Sequence, residues 1–354
     1  MVQEVSTEKI CPKCGETFDK NQTVCPSDGL MLVRPNHPIL GTVEPTALIG
    51  ERIGPYEVFS LRNTGSKCFI FEVKHDSGKR MVMKMLRPEL SQNKSSYERF
   101  QQEARLASGM VHPGIAAAYD IGVVPSGQPY LVMELVDGVT LAKVLGEKGK
   151  LDIKSFTSVF QQLCSVLEAA HKRGVIHRDL KPEHVMLSGQ DDGTPSVKLL
   201  DFGCSKDLER QQKLTVPGLI IGNADYISPE QCSGGAIDAR SDVYSLACIM
   251  YYALTGKKPF EGNIVAVMQK HLSELPPGTK QANPEVCVPE ALESAIFKAM
   301  NKDPEERQQS TGELWADVEK AMSQTEGSSQ PVSEEKPIKQ GFLGGLVKHF
   351  KKPH

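Results

Sequence analysis

Nowhere in this 354-residue chain is there an apolar run long enough to cross a bilayer; the longest buried-looking stretch, Val243–Leu254, suits a core helix instead. The opening residues, Met1 to Ile10, are polar and lack the apolar core of a secretion signal, which sets the expectation of a cytoplasmic protein. Strong charge of one sign is missing too. A net charge of −3 offers no broad basic surface, so no nucleic-acid partner is expected. Nor is there a disulfide framework, because three of the nine cysteines cluster near the start and six are scattered. What remains, 39% apolar and 24% charged residues, is the composition of a globular protein. The length allows two domains or one bilobal domain.

Composition divides the chain into five parts. Residues 9–32 are punctuated by cysteine and glycine. Residues 33–54 carry Pro35, Pro38 and Pro45 and read as a linker. Residues 55–322 alternate strand and helix patterns. Residues 323–340 are polar and are expected to be disordered, and 341–354 form a short basic amphipathic tail. Within the large region the first part is strand-rich: Tyr56–Leu61, Phe69–Lys74, Arg80–Leu86 and Tyr130–Val136 are β-branched or apolar runs, and D-S-G at 76–78 suits a hairpin turn. One helix is expected near Tyr97–Ser108. Beyond residue 140 the helical period takes over, with Phe156, Val159, Phe160, Leu163, Val166, Leu167 and Ala170 on one face and Gly174 at its C-terminal end. Ser241–Leu254 is apolar nearly all round and should be central, with Gly256 just past its end.

Two stretches carry the chemistry. V-I-H-R-D-L-K-P-E-H-V-M-L at 175–187 and K-L-L-D-F-G at 198–203 place two carboxylates, Asp179 and Asp201, on separate loops after short apolar runs. Phosphoryl transfer from ATP needs one carboxylate beside the attacking hydroxyl and another holding metal on the phosphates. The stretches resemble the catalytic loop and the D-F-G turn of protein kinases, and the likeness extends over residues 56–318. The chain is thereby similar to the eukaryotic-like (Hanks-type) bacterial Ser/Thr protein kinases. That resemblance implies an α+β, bilobal fold with a small antiparallel sheet lobe and a larger helical lobe.

The same resemblance assigns roles. Lys84, in M-V-M-K at 81–84, takes the place of the lysine that grips the α- and β-phosphates, and Glu103 that of its ion-pair partner. Met133 falls at the back of the adenine pocket, and Glu134, Leu135 and Val136 form the hinge whose backbone meets the adenine edge. Asp179 orients the acceptor hydroxyl and takes its proton, Lys181 steadies the γ-phosphate, and Asp201 ligates Mg²⁺. His177 and Phe202 are structural. Arg178 matches the arginine that meets a phosphorylated activation segment. Within that segment, 204–227, Ser205 and Thr215 are the hydroxyl candidates, and a phosphate on Thr215 would pair with Arg178, unless Pro217 and the aliphatic run beside it order the loop by packing. S-P-E-Q at 228–231 stands for the A-P-E motif, with Arg307 pairing Glu230 and Asp242 anchoring the catalytic loop. The implied partners are a protein substrate and, for autophosphorylation, a second copy.

Three positions depart from the family. The glycine-rich loop reads N-T-G-S-K-C-F-I at 63–70, and only Gly65 of its glycines survives. A left-handed backbone at Cys68 would cost roughly 1–2 kcal/mol. His184 replaces the asparagine that supplies a second metal oxygen, and its nitrogen suits Mn²⁺ better than Mg²⁺. Asn223 stands where a threonine ties the docking loop to the catalytic pair. These losses leave two readings: a Ser/Thr kinase of low activity, and a pseudokinase that binds ATP or acts as a scaffold. Cys68 and Cys204 both fall near the expected nucleotide, either as buried thiols or as a redox clamp.

At the start, C-P-K-C-G at 11–15 is echoed by C-P-S-D-G at 25–29, and the pair resembles a small zinc ribbon. Cys11, Cys14 and Cys25 supply three thiolates. Asp28 occupies the fourth position in register, with His37 as its rival. So short a segment needs metal to fold. In the tail, Phe342, Leu343, Leu346, Val347 and Phe350 recur at helical spacing beside Lys348, Lys351 and Lys352. The tail suits peripheral membrane contact, docking on a partner, folding back on its own domain, or a flexible solubilising end.

Overall fold

The computed structural model describes residues 8–11, 14–19, 21–27, 32, 44–189, 194–202 and 224–326. Asp28, His37, Cys204, Ser205, Thr215, Asn223 and the basic tail lie outside the described residues. The chain divides into two compact units, one of residues 1–111 and 116–135 and the other of residues 112–115 and 136–354. The division between Leu135 and Val136 falls within the expected hinge. No helix among the described residues is long and apolar enough to cross a membrane.

In the first unit, β1 (Glu8–Ile10) and β2 (Thr17–Asp19) form an antiparallel pair around the first cysteine knuckle. Six further strands follow: β3 (Arg52–Ile53), β4 (Tyr56–Thr64), β5 (Cys68–His75), β6 (Arg80–Leu86), β7 (Ala118–Val123) and β8 (Pro129–Glu134). They make one antiparallel sheet in the order β3-β4-β5-β6-β8-β7. Between β6 and β7 come α1 (Pro88–Ser91) and α2 (Lys94–Gly109), the latter started by Asn93, whose side chain accepts the Ser96 N–H at 3.0 Å. The period of two is plain on β6, where Met81, Met83 and Met85 join Phe71, Val73 and Val132 in the core and leave Lys84 to the other face. At the β5–β6 hairpin the His75 and Gly78 N–H groups close the turn, and Gly78 takes φ +86°, a conformation glycine adopts without strain.

Two boundaries differ from expectation. The end of the supposed linker is structured: Pro45–Leu48 is a 3₁₀ turn, and Leu48 and Ile53 join the sheet core beside Tyr56. Pro45 starts that turn because its fixed φ suits the first helical position. At the other end, the last helix continues to Glu326, into the stretch expected to be disordered.

The second unit holds a three-stranded sheet in the order β11-β10-β9, formed by β9 (Val139–Thr140), β10 (Val185–Gly189) and β11 (Pro195–Leu199). Its helices are α3 (Leu141–Lys148), α4 (Ile153–His171), α5 (Pro229–Ser233), α6 (Ala239–Thr255), α7 (Ile264–Ser273), α8 (Thr279–Ala282), α9 (Glu290–Ala299) and α10 (Thr311–Glu326). The predicted face of α4 is buried throughout. Helix α6 is buried on every side, and Gly256 ends it with φ +71°. A Cβ at Gly256 would stand 2.8 Å from the Gly149 carbonyl, so both conformation and space require glycine.

The expected Glu230–Arg307 pair is present and bidentate, with both N–O distances 2.9 Å and the arginine fully buried. Burial raises the Glu230 pKa, but the Arg307 bonds and charge outweigh it and hold the carboxyl below its ordinary 4.5. Removing one member of a buried pair strands the other, so Arg307→Ala should cost ~3–5 kcal/mol in a denaturant melt. The depressed pKa makes the pair's contribution complete above about pH 4.5 and lost as pH falls through the lower folded value. The variant should therefore show a flatter stability profile in acid than the parent.

Candidate active site

In the first unit, β6 presents Lys84 and α2 presents Glu103, with Nζ and Oε1 2.6 Å apart and both side chains largely buried. Lys84 lies in register with Ile70 and Leu131, so two flanking strands hold its backbone. The ammonium is thereby charged and oriented, the state needed to meet phosphate oxygens.

The β4–β5 turn carries Gly65, and Arg87 clamps it. The Arg87 N–H bonds the Lys67 carbonyl at 3.0 Å, its Nε donates to the Gly65 carbonyl at 2.8 Å, and its guanidinium covers the Phe69 ring at 4.7 Å. Here the structure corrects the expectation for Cys68. Among the described residues only Arg178 and Asp201 are non-glycine residues with positive φ. Cys68 is extended, opens β5 opposite Leu86, and is buried. Its place in the ladder removes the expected conformational cost. Met133 pairs with Val82 and Ala118 and is buried. The Glu134 backbone N–H donates to the Ala117 carbonyl at 2.8 Å, while its carboxylate accepts the Ala117 N–H at 3.2 Å. Val136 is half-buried at the start of the second unit.

In the second unit the residues of the H-R-D-L-K-P-E-H loop gather. Lys181 Nζ donates to Asp179 Oδ2 at 3.0 Å. His184 Nδ1 lies 2.9 Å from the Asp179 carbonyl oxygen, and its Nε2 lies 3.6 Å from Asp201 Oδ2. A carbonyl only accepts, so Nδ1 carries the proton and Nε2 keeps its lone pair toward Asp201. Burial is the main reason that the His184 pKa falls to about 4, against the opposing pull of Asp201, so the ring is neutral at neutral pH.

The frame beneath these groups is a buried carboxylate. Asp242, in the first turn of α6, accepts the His177 backbone N–H at 2.8 Å on Oδ2 and the Arg178 N–H at 2.9 Å on Oδ1. His171 Nε2 adds a third bond at 2.7 Å. His177 in turn donates Nε2–H to the Leu200 carbonyl at 2.9 Å, and its ring centroid is 5.0 Å from that of Phe202. Arg178 and Asp201 have φ of 65° and 56°, each a strained choice costing ~1–3 kcal/mol that the surroundings must offset. For Arg178 part of that support comes from Gln231, whose amide donates to the Arg178 carbonyl at 2.7 Å. Gln231 is held in a capping box with Ser228.

Within their own units, then, Lys84 meets Glu103, and Asp179 meets Lys181 and His184. Sequence reasoning did not assign Gln231 or His171. The S-x-x-Q spacing of a capping box was the available signal for Gln231, whereas nothing local to His171 announces a partner in α6, many residues away. Asp179, Lys181, Tyr226, Ile227, Gln231 and Ser245 also line one small depression.

Comparison with known proteins identifies the family. The family profile described as protein kinase domain matches residues 63–317. The chain belongs to the protein kinase family. It is 39% identical over 245 residues to the serine/threonine-protein kinase PknB of Mycobacterium tuberculosis, a match covering 67% of this chain and 38% of that one. Against the serine/threonine-protein kinase Pkn1 of Myxococcus xanthus it is 34% identical over 315 residues, covering 86% of this chain and 44% of the relative. The chain thus spans well under half the length of these curated relatives. The crystal structure of the Mycobacterium tuberculosis PknI kinase domain shares the fold, with a TM-score of 0.60 at 24% identity, covering 77% of this chain and 98% of that one.

Asp242→Asn is the informative variant here. It replaces one acceptor oxygen by a donor facing N–H groups, and one unmet buried group costs ~1–3 kcal/mol. The expected result is a lower melting temperature together with faster amide exchange at His177 and Arg178. Exchange confined to the end of α6 would place the strain elsewhere.

Proposed function

We propose that the chain is a Ser/Thr protein kinase that transfers the γ-phosphate of ATP to a protein hydroxyl, a second copy of itself included. The observation that carries this reading is the cluster of Asp179, Lys181, His184 and Asp201 on one buried support. The names of the curated relatives support the same class. In this reading Asp179 accepts the hydroxyl proton, and Lys181, 3.0 Å away, bears on the γ-phosphate as charge moves. Lys84, oriented by Glu103, binds the α- and β-phosphates, and Gly65 lies in the turn over them. Met133, Glu134 and Val136 meet the adenine. Arg178 and Thr215 form the regulatory pair.

The donor set suits a divalent cation. Asp201 Oδ2 and the lone pair of His184 Nε2, 3.6 Å apart, are one oxygen and one nitrogen ligand, a mixture that favours Mn²⁺ more than the all-oxygen shell Mg²⁺ prefers. Bound metal supplies charge neutralisation on the phosphates.

A zinc site in the N-terminal segment is the second part of the proposal. The thiol sulfurs of Cys11, Cys14 and Cys25 lie within 4.8 Å of one another, and those of Cys14 and Cys25 are 3.8 Å apart. Two thiolates on one tetrahedral Zn²⁺ at ~2.3 Å each stand about 3.8 Å apart, which supports the fit. Asp28 or His37 completes the set.

Labelled ATP with purified protein tests the main reading. The parent should incorporate phosphate, and Asp179→Asn should lose at least about a hundredfold in rate. ATP binding with no incorporation in either protein would make the chain a pseudokinase. His184→Asn should shift the optimum from Mn²⁺ toward Mg²⁺, and identical metal profiles would remove His184 from the metal. For the N-terminal site, metal analysis should find about one zinc per chain, lost in Cys14→Ser.

A further inference from the structure

The segment Asp225–Ile227 shares a depression with Asp179 and Lys181 through Tyr226 and Ile227. Its anchorage comes from residues that the catalytic reading leaves unused. The Asp225 carbonyl lies 3.1 Å from Nε2 of His271, in the last turn of α7. The Asp225 carboxylate pairs with Lys258 Nζ at 2.5 Å. Behind them, His271 Nδ1 is 2.9 Å from the Tyr244 hydroxyl on α6, and Lys302 Nζ is 3.0 Å from that same hydroxyl.

Both ends of this chain fix its direction. The Asp225 carbonyl can only accept and the Lys302 ammonium can only donate. Lys302 therefore donates to the Tyr244 oxygen, Tyr244 O–H donates to His271 Nδ1, and His271 Nε2–H donates to Asp225. A neutral imidazole is required, and burial, as the main cause, holds the His271 pKa down at about 4. Burial also lowers Lys302 to about 8, which leaves the ammonium the main form at neutral pH. His271 and Tyr244 are fully buried. The Phe260 ring stands edge-on to the imidazole at 4.8 Å, and Lys302 lies over the Phe260 and Tyr244 rings at 4.9 and 5.3 Å. Ala224 and Ile227 pack with Phe260, Ile264, Val267 and Met268. The segment is thus held by hydrogen bond, ion pair and apolar contact to one surface formed by α7 and the loop before it.

We propose that His271, through Tyr244 and Lys302 and together with Lys258, positions Asp225–Ile227 as the platform for the protein acceptor. They are positioning residues for the phosphoacceptor rather than for the nucleotide. The proposal rests on the assignment of Asp179 as the base, since that residue makes the neighbouring depression the place of the acceptor hydroxyl. A buried polar chain of this kind costs stability unless its members are satisfied, and here two bonds inside the helical core orient His271 while the His271 and Lys258 contacts reach the segment itself.

The test compares the full chain with His271→Phe, which keeps a ring and loses both hydrogen bonds, and His271→Gln, which keeps a donor near Nε2. Initial rates are measured with histone as acceptor and with ATP varied separately. The phenylalanine variant should raise the histone KM about tenfold with the ATP KM and kcat within about twofold, and the glutamine variant should recover most of the loss. Equal rises in both KM values, or no recovery by glutamine, would overturn the proposal. Hydrogen exchange gives a readout independent of turnover: amides of Tyr226 and Ile227 should exchange faster in His271→Phe while those in the middle of α6 stay protected. Unchanged exchange at Tyr226 and Ile227 would overturn the anchorage itself. Absence of phosphate transfer in the parent, with exchange changed as expected, would instead count against the kinase reading.

Discussion

A single carboxylate, that of Asp242, carries the geometry of the second unit. It is wholly buried and takes three donors, two of them backbone N–H groups of the H-R-D loop. Burial by itself would raise its pKa. The bond from His171, the charges of His171 and His177 and the His177 N–H outweigh that and hold it below the ordinary value. An acceptor of this kind must stay ionised, because a protonated oxygen would point a hydrogen at an N–H. The strained φ at Arg178 follows from that constraint, and Gln231 secures the next peptide by donating to the Arg178 carbonyl. Positions of Asp179, Lys181 and His184 are consequences of a loop whose first residues have no freedom left.

The same economy appears in the links between motifs. Leu200 N–H reaches the His184 carbonyl at 2.8 Å, and His177 reaches the Leu200 carbonyl, so the strand leading to Asp201 is bonded to the H-R-D loop on both sides of one residue. Glu230 is shared between Arg307 and the Ser241 hydroxyl, one residue before Asp242. The S-P-E-Q helix, the start of α6 and the H-R-D loop thus form one hydrogen-bonded block. The network is not fully satisfied, since the Nδ1 atoms of His171 and His177 are buried without a hydrogen-bond partner, and each such atom offsets part of what the bonds return. The further chain from Lys302 to Asp225 is joined to that block through Tyr244 on α6 by the same means.

Much of this was legible beforehand, and the exceptions have particular causes. The runs that became β4, β5, β6 and β8 announce themselves through buried apolar residues at a period of two, and α4 and α6 through a period of 3.6 or none. Strand β7 escaped because its pattern is inverted: Tyr119, Ile121 and Val123 face outward and Ala118, Asp120 and Gly122 face inward. The inward positions are dictated by Tyr56, whose hydroxyl donates to Asp120, and by Tyr130, whose ring leaves no space for a Cβ at Gly122. Neither partner is local. Strand β9 has only two residues and shows no period, and in β10 and β11 the alternation runs over only five residues each. Cys68 was misjudged for a related reason: its conformation is set by pairing with Leu86 in β6, which a motif count along one strand cannot register.

By itself the sequence determined the class of fold and the identity of the groups that bear charge. Periodicity depends only on which residues are apolar, and a motif such as H-R-D-L-K-P depends only on order along the chain. Tertiary structure alone decided which proton each histidine carries and which oxygen it faces. His184 is a nitrogen donor toward Asp201 because the Asp179 carbonyl occupies its other nitrogen, and His271 is a donor to Asp225 because Tyr244 and Lys302 stand behind it. Tautomer, desolvation and hydrogen-bond direction are properties of neighbours in space, and no spacing along the chain encodes them.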